Sequence, residues 1–332
     1  MPTAQEFAEA RERIAGVALR TPLVPLHESA GVSDVYLKLE IHQPINSFKI
    51  RGIFNAVARL SEEERSRGLF TTSAGNTAQA IAWCGRYFGV EARSMMPHGA
   101  PRSKADAVRA YGGEPVFVTT DELFGYMRNR GWEGQDYAFI HPWTDRDVLI
   151  GHGSCGFEIA EDLPDVGTVY IPVGGGGFFC GVALALRSVR PDLRIVAVEP
   201  EGCPALSNSL AAGNAVSVDC QTFCDGVAVP YMTDENFPLL RDLADDCLLI
   251  SEDEVFDAIR QLAFGNKVIA EGAGALAVAA ATREAGAKPG PAVAIVTGGS
   301  IDPEKLLAIL SGRSPAEVTT RVPDWTRSCF PA

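Results

Sequence analysis

Val169-Tyr170-Ile171-Pro172-Val173-Gly174-Gly175-Gly176-Gly177-Phe178 runs from an unbroken apolar stretch into four glycines and then into a helical pattern that continues to Val189. An apolar run without polar alternation is the mark of a strand covered on both faces, as in a parallel sheet. Residues without Cβ let successive backbone N–H groups converge on one anion, with a helix dipole behind them. Four adjacent glycines are costly in chain entropy and rarely needed for turning alone, so phosphate binding is the expected role of Gly174, Gly175, Gly176 and Gly177. A charge introduced at Gly175 is expected to face that phosphate. The competing reading is a nicotinamide-dinucleotide turn, with Glu199 as the ribose-binding acid at the end of the next strand. Gly-x-Gly-x-x-Gly is not matched, because Phe179 or Cys180 falls where the third glycine should stand.

Outward from this turn the same pattern repeats. Ile195–Val198 and Ala292–Val296 read as further strands of its group. An earlier group comprises Val35–Glu40, Leu69–Thr72, Ala92–Met96 and Pro115–Val118, each followed by a helical stretch. The helix after Val35–Glu40 is expected to be capped by Asn46 or Ser47 and to reach Leu60. Strands alternating with helices predict an α/β protein: two open, twisted, mainly parallel sheet domains with a ligand cleft between them. The expected division is 1–54 plus 145–332 for a large domain and 55–144 for a small one. No repeat and no obvious linker interrupts the chain.

Composition narrows the function. The 332 residues can bury a sizeable core, and the formal net charge of −13 argues against a nucleic-acid partner. No apolar run reaches the roughly 18 residues of a membrane helix, and the charged N-terminus lacks a signal-peptide core, so a cytoplasmic location is expected. The eight cysteines form no Cys-x-x-Cys pair; the closest are Cys220 and Cys224, without a second pair or a nearby histidine. They read as buried thiols or surface bystanders, and no metal site is expected.

Two further stretches carry chemistry. Asn46-Ser47-Phe48-Lys49-Ile50-Arg51-Gly52 places a lysine between apolar neighbours, and desolvation lowers an amine's pKa and raises its nucleophilicity. Ser73-Ala74-Gly75-Asn76-Thr77 is a small polar loop ahead of a helix, suited to a carboxylate. A lysine amine, a carboxylate loop and a phosphate turn together suit pyridoxal phosphate.

Ser-Phe-Lys-x-Arg-Gly, Ser-Ala-Gly-Asn and Pro-Val-Gly-Gly-Gly-Gly resemble the fold type II (tryptophan synthase β-like) pyridoxal-phosphate enzymes, especially the threonine/serine dehydratase and serine racemase group. The similarity covers roughly residues 5 to 310. It implies Lys49 as the Schiff-base lysine, Phe48 packed on the cofactor ring, Asn76 near the ring hydroxyl, and Gly174–Gly177 around the phosphate. It further implies Thr297 at the pyridine nitrogen and Glu271 near the ring, with the Asp225-Gly226 backbone beside the cofactor. Ser73, Ala74, Gly75, Asn76 and Thr77 would hold the substrate carboxylate. A hydroxyl at the pyridine nitrogen cannot hold it protonated as an aspartate would, which favours β-elimination over transamination.

Departures from the group's pattern also carry information. Ala74 stands where racemases of the group place a serine, so the second acid–base group of racemisation is missing. Thr77 replaces a histidine common in the dehydratases and is similar to cysteine synthases, whose phosphate loop, however, contains threonines. Glu199-Pro200 is similar to the start of a metal site in the family, but Cys203 and Ala205 replace two of its ligand positions. His152 replaces a common glutamine and is expected either to touch the substrate or to fill the cleft wall. The resemblance therefore implies a dehydratase that converts a β-hydroxy amino acid (threonine, serine, 3-hydroxyaspartate or phenylserine) to a 2-oxo acid and ammonia. It is expected to act as a homodimer. β-Replacement, racemisation and, in a different class, a nicotinamide-binding oxidoreductase are the alternatives.

Overall fold

The computed structural model describes residues 1–287 and 289–318. Ten strands occur among them: β1 (Leu23–Pro25), β2 (Val35–Leu39), β3 (Leu69–Thr72), β4 (Ala92–Pro97), β5 (Glu114–Val118), β6 (Ala138–Phe139), β7 (Thr168–Pro172), β8 (Arg194–Pro200), β9 (Asp246–Ile250) and β10 (Ala292–Val296). They form a six-stranded sheet in the order β1-β2-β10-β7-β8-β9 and a four-stranded sheet in the order β5-β4-β3-β6. Every pairing is parallel except that of β1 with β2. The expected α/β class with two open, mainly parallel sheets is the architecture found.

Alternation along the strands explains the layers. Tyr170, Val196, Val198, Ala292, Ala294 and Val296 face one side of the larger sheet, where Leu276, Ala280 and Phe256 cover them. Val169, Ile171, Ile195, Ala197, Val293 and Ile295 face the other, against Phe179, Val182, Leu186 and Ile159. Both faces are dry, so the strands read as continuous apolar runs. Burial of this kind contributes roughly 25 cal/mol per Å² of apolar surface and does most to hold the larger unit together. A separate core beneath the helix Lys49–Arg59 joins Ile50, Ile53 and Val57 to Leu69 and Ile81 of the smaller unit.

The helix Lys49–Arg59 is fastened from inside by a charge cluster that no local stretch of sequence marks. Arg51 is fully buried; its guanidinium donates to Glu40 at 2.7 and 2.8 Å, to Glu158 at 2.7 and 2.8 Å and to Ser154 at 3.0 Å. Lys38 completes the cluster, donating to Glu158 at 2.7 Å and to the Thr21 carbonyl at 2.8 Å. A buried cluster is tolerable only when every member is paired, as these are.

Two local expectations are corrected. The helix begins without a side-chain cap: Phe48 is its N-cap residue, Ser47 Oγ approaches only the Lys49 N–H at 3.4 Å, and Asn46 is held at φ 55°. Cys203 and Cys220, expected to be independent thiols, are joined in a disulfide with their Cα atoms 4.4 Å apart. It ties the loop after β8 to the segment leading toward Asp225. Tertiary folding brings together two cysteines 17 residues apart in sequence. Cys84, Cys155, Cys180, Cys224 and Cys247 are free, and Cys329 lies outside the described residues.

Candidate active site

Strands of both sheets deliver their C-terminal ends to one cavity of about 380 Å³. Small-molecule sites are commonly about 300–1,000 Å³, and open α/β sheets bind ligands at this end. Phe48, Lys49, Ser73, Ala74, Gly75, Asn76, Thr77, Gly174, Gly175, Gly176, Gly177, Glu271 and Thr297 all line it, as do Asp225 and Gly226. Phe48 and Thr297, 249 positions apart in sequence, are thus brought together.

Helix beginnings give the cavity its electrostatic character. Six helices start on capping side chains: Thr3, Ser61, Thr119, Asp145, Ser251 and Asp302 each accept a backbone N–H of the first turn. The helices Lys49–Arg59, Asn76–Phe88, Arg102–Ala110, Gly177–Val189 and Gly272–Arg283 have no side-chain cap. Their N-cap residues (Phe48, Gly75, Pro101, Gly176 and Glu271) all line the cavity. First-turn N–H groups without a capping side chain, with dipoles behind them, form an anion-binding surface.

The glycine turn owes its composition to packing as well as to donors. A Cβ on Gly175 would lie 2.5 Å from the Trp143 ring, one on Gly177 2.5 Å from the Trp143 carbonyl oxygen, and one on Gly176 2.6 Å from Leu240. Gly176 also takes φ 87°. A side chain at Gly175 would therefore strike Trp143 rather than face a phosphate, which corrects the expectation for a charge placed there. Asn236 fastens the turn, donating from Nδ2 to the carbonyls of Gly175 at 2.7 Å and Trp143 at 2.9 Å. Trp143 and Asn236 lie outside the glycine run, and nothing in their local sequence signalled the contact.

Lys49 is the first residue of its helix. Its Nζ donates to the Pro142 carbonyl at 3.3 Å and lies 5.0 Å from the centre of the Phe48 ring. Burial lowers its pKa to about 8, against the opposing attraction of Glu271. Phe48 is wedged between Phe178 and His152, with ring centroids 3.9 and 4.9 Å away. His152 thus sits behind Phe48, fully buried and not among the cavity-lining residues, so it does not touch a ligand there. Burial, followed by repulsion from Lys49 and Arg51, pushes its pKa well down and keeps it neutral.

Glu271 connects the two units. Its Oε1 accepts from Asn76 Nδ2 at 2.6 Å, while Oε2 has no hydrogen-bond donor and lies 3.7 Å from Lys104 Nζ. Burial raises its pKa, opposed by Lys104. Ser73 Oγ accepts the Gly75 N–H at 3.1 Å, folding the polar loop back on itself ahead of the helix Asn76–Phe88. Thr297 accepts the Phe48 N–H through its carbonyl at 3.1 Å, locking the loop after β10 beside Lys49. Glu199, by contrast, lies away from the cavity; its carboxylate accepts the N–H groups of Leu206 and Ser207 at 2.7 and 2.9 Å. Burial raises its pKa to about 7. Among the described residues no group of three or more His, Cys, Asp or Glu side chains could hold a metal ion.

Comparison with known proteins agrees with this geometry. The family described as "Pyridoxal-phosphate dependent enzyme" matches residues 14–298. The L-threonine ammonia-lyase of Thermotoga maritima is 39% identical over 308 residues, covering 91% of this chain and 76% of that protein. The catabolic L-threonine dehydratase TdcB of Escherichia coli is 35% identical over 306 residues, 90% of this chain and 92% of that one. Among solved structures, the threonine deaminase of T.th. superposes with a TM-score of 0.84 at 33% identity, covering 91% of this chain and 99% of that one. Maize serine racemase gives the same TM-score of 0.84 at 31% identity, covering 92% and 96%. The chain belongs to the fold type II pyridoxal-phosphate-dependent enzymes, within the threonine/serine dehydratase and serine racemase group.

Proposed function

We propose that this enzyme is an ammonia-lyase that dehydrates a β-hydroxy amino acid of the threonine/serine class to a 2-oxo acid and ammonia. The observation that carries the reading is the buried Lys49 amine, with a pKa near 8, in a cavity lined by helix N-termini that lack side-chain caps. These residues fit pyridoxal phosphate. The turn Gly174–Gly177 and the N-terminus of Gly177–Val189 supply backbone donors for a phosphate, and Lys49 supplies the amine for the aldehyde. When bound, the cofactor provides the electron sink that makes a substrate's Cα–H acidic.

The chain's own groups do the rest. The N-terminus of Asn76–Phe88, together with Ser73 and Thr77, holds the substrate carboxylate through backbone and hydroxyl donors. Phe48, backed by Phe178 and His152, would pack against the ring. Thr297 would offer a hydroxyl to the pyridine nitrogen, and Glu271 with Asn76 would border the ring. Lys49 Nζ, neutral for a useful fraction of the time near its pKa, takes the proton from Cα.

Serine racemase and threonine deaminase match the fold equally well, so the fold does not choose between them. Ala74 supports elimination: it places a methyl group where a hydroxyl would protonate the opposite face. The named activities of the L-threonine ammonia-lyase and dehydratase relatives support the same choice. We further propose a division into 1–54 plus 145–332 and 55–144, and a cytoplasmic homodimer. Sedimentation would test the homodimer. The deciding assay offers L-threonine, L-serine and their β-substituted analogues to the holoenzyme and follows 2-oxo acid, ammonia and D-enantiomer together. Racemisation equal to or faster than elimination would overturn the reading.

A further inference from the structure

Lys104 lies in the helix Arg102–Ala110 of the smaller unit, yet its ammonium pairs with acids of the larger one. Its side chain is only 4% exposed, and Nζ donates to Asp225 Oδ2 at 2.7 Å across the mouth of the cavity. Glu271 Oε2, which lacks a hydrogen-bond donor, is 3.7 Å from the same nitrogen. On the other side, Lys104 abuts the polar loop: a Cβ on Gly75 would stand 3.7 Å from Nζ. Asn76, from that loop, holds the second oxygen of Glu271 at 2.6 Å. One buried cation thus touches the proposed carboxylate seat and both acids of the opposite wall.

We propose that Lys104 is a positioning residue for the reaction, a latch that holds the substrate-binding loop against the cofactor wall and must release Asp225 for substrates to exchange. Its place explains the burial of a charged side chain at a cavity mouth. The ammonium satisfies Asp225 directly and lends its field to Glu271, whose buried carboxylate otherwise has the Asn76 amide as its hydrogen-bond donor. A substrate carboxylate seated at the N-terminus of Asn76–Phe88 adds a third anion beside the same cation and favours the closed arrangement. This rests on the reading of Ser73–Thr77 as the carboxylate seat.

The test compares holoenzyme variants Lys104→Met, Asp225→Asn, the double variant and Lys104→Arg. Each is assayed for KM and kcat with the best β-hydroxy amino acid, and for backbone hydrogen exchange across residues 98–104 and 225–229. The two single variants are expected to raise KM at least about tenfold while kcat changes far less, as for loss of a desolvated ion pair. Exchange in both segments should accelerate, and the double variant should be no worse than either single one. Lys104→Arg should recover most of the effect. Additive effects of the two substitutions, or unchanged exchange and KM in a folded Asp225→Asn enzyme, would overturn the latch. If no β-hydroxy amino acid is turned over, the function fails, while the exchange comparison still decides whether Lys104 and Asp225 hold the cleft closed.

Discussion

At the scale of single residues, the burial of Lys49 favours its chemistry at the expense of stability. An exposed lysine near 10.5 is almost wholly protonated at neutral pH; burial brings this one to about 8. Without cofactor, the unfolded chain therefore binds one more proton than the folded chain between pH 8 and 10.5. Stability should rise with pH through that window, and the full cost of the buried ammonium is present below it. Lys49→Met in the apo-enzyme should thus be more stable than the parent at pH 7, by up to about 3 kcal/mol. The gain should fade by pH 10.5, as urea midpoints across pH would reveal. The same substitution, or Lys49→Ala, should lower turnover by at least about 10³-fold and abolish the borohydride-sensitive visible band. Retention of substantial deamination would refute the Schiff-base role. At position 74, Ala74→Ser tests the choice of product: a hydroxyl there should introduce D-enantiomer formation, measured by chiral chromatography, that the parent lacks.

Among the elements, the helix N-termini supply the cavity with its backbone donors. Five helices whose N-cap residues line the cavity lack a capping side chain, which leaves first-turn donors for ligands. The turn before Gly177–Val189 shows how tightly this is built, with Gly176 in the left-handed region and Trp143 pressed on both neighbours. Gly176→Ala should cost about 1–2 kcal/mol from the positive φ alone. It should also weaken cofactor retention, read as faster loss of the visible band on dialysis. Normal retention would mean that the phosphate is held elsewhere. Much of this element was legible beforehand, because an apolar run ending in consecutive glycines has few other physical uses. The role of Trp143 was not, since its contact with the turn crosses 32 positions of sequence.

On the whole-molecule scale, the active-site helix is secured by charge rather than by apolar packing alone. Arg51, two residues after Lys49, joins Glu40 next to β2 to Glu158 on the helix Arg146–Asp162, and Lys38 closes the cluster. Glu40 is held ionised by Arg51 despite complete burial. Arg51→Met should destabilise the protein by about 3–5 kcal/mol, because it strands buried carboxylates. The expected observation is a lower urea midpoint in both apo- and holo-forms. A shift confined to the holo-form would instead give Arg51 a cofactor-linked role.

The sequence by itself determined what is local and repetitive. Strand runs, helix periods, the glycine turn and the lysine stretch depend on residues a few positions apart, whose burial and backbone freedom are properties of their own side chains. The strands β2, β3, β4, β5, β7, β8 and β10 were readable for that reason. β1 and β6, only three and two residues long, were not, and the half-buried edge strand β9 lacks the dry apolar run that marks a central strand. Tertiary structure alone decided which distant groups meet: Cys203 with Cys220, Lys104 with Asp225 and Glu271, Arg51 with its two carboxylates, and Trp143 with the glycine turn. It also moved His152 out of the cavity and behind Phe48. Such pairings are fixed by sheet order and the packing of helices across a cleft. A buried charge or ring is satisfied by whatever that packing brings to it, and no short stretch of sequence carries that information.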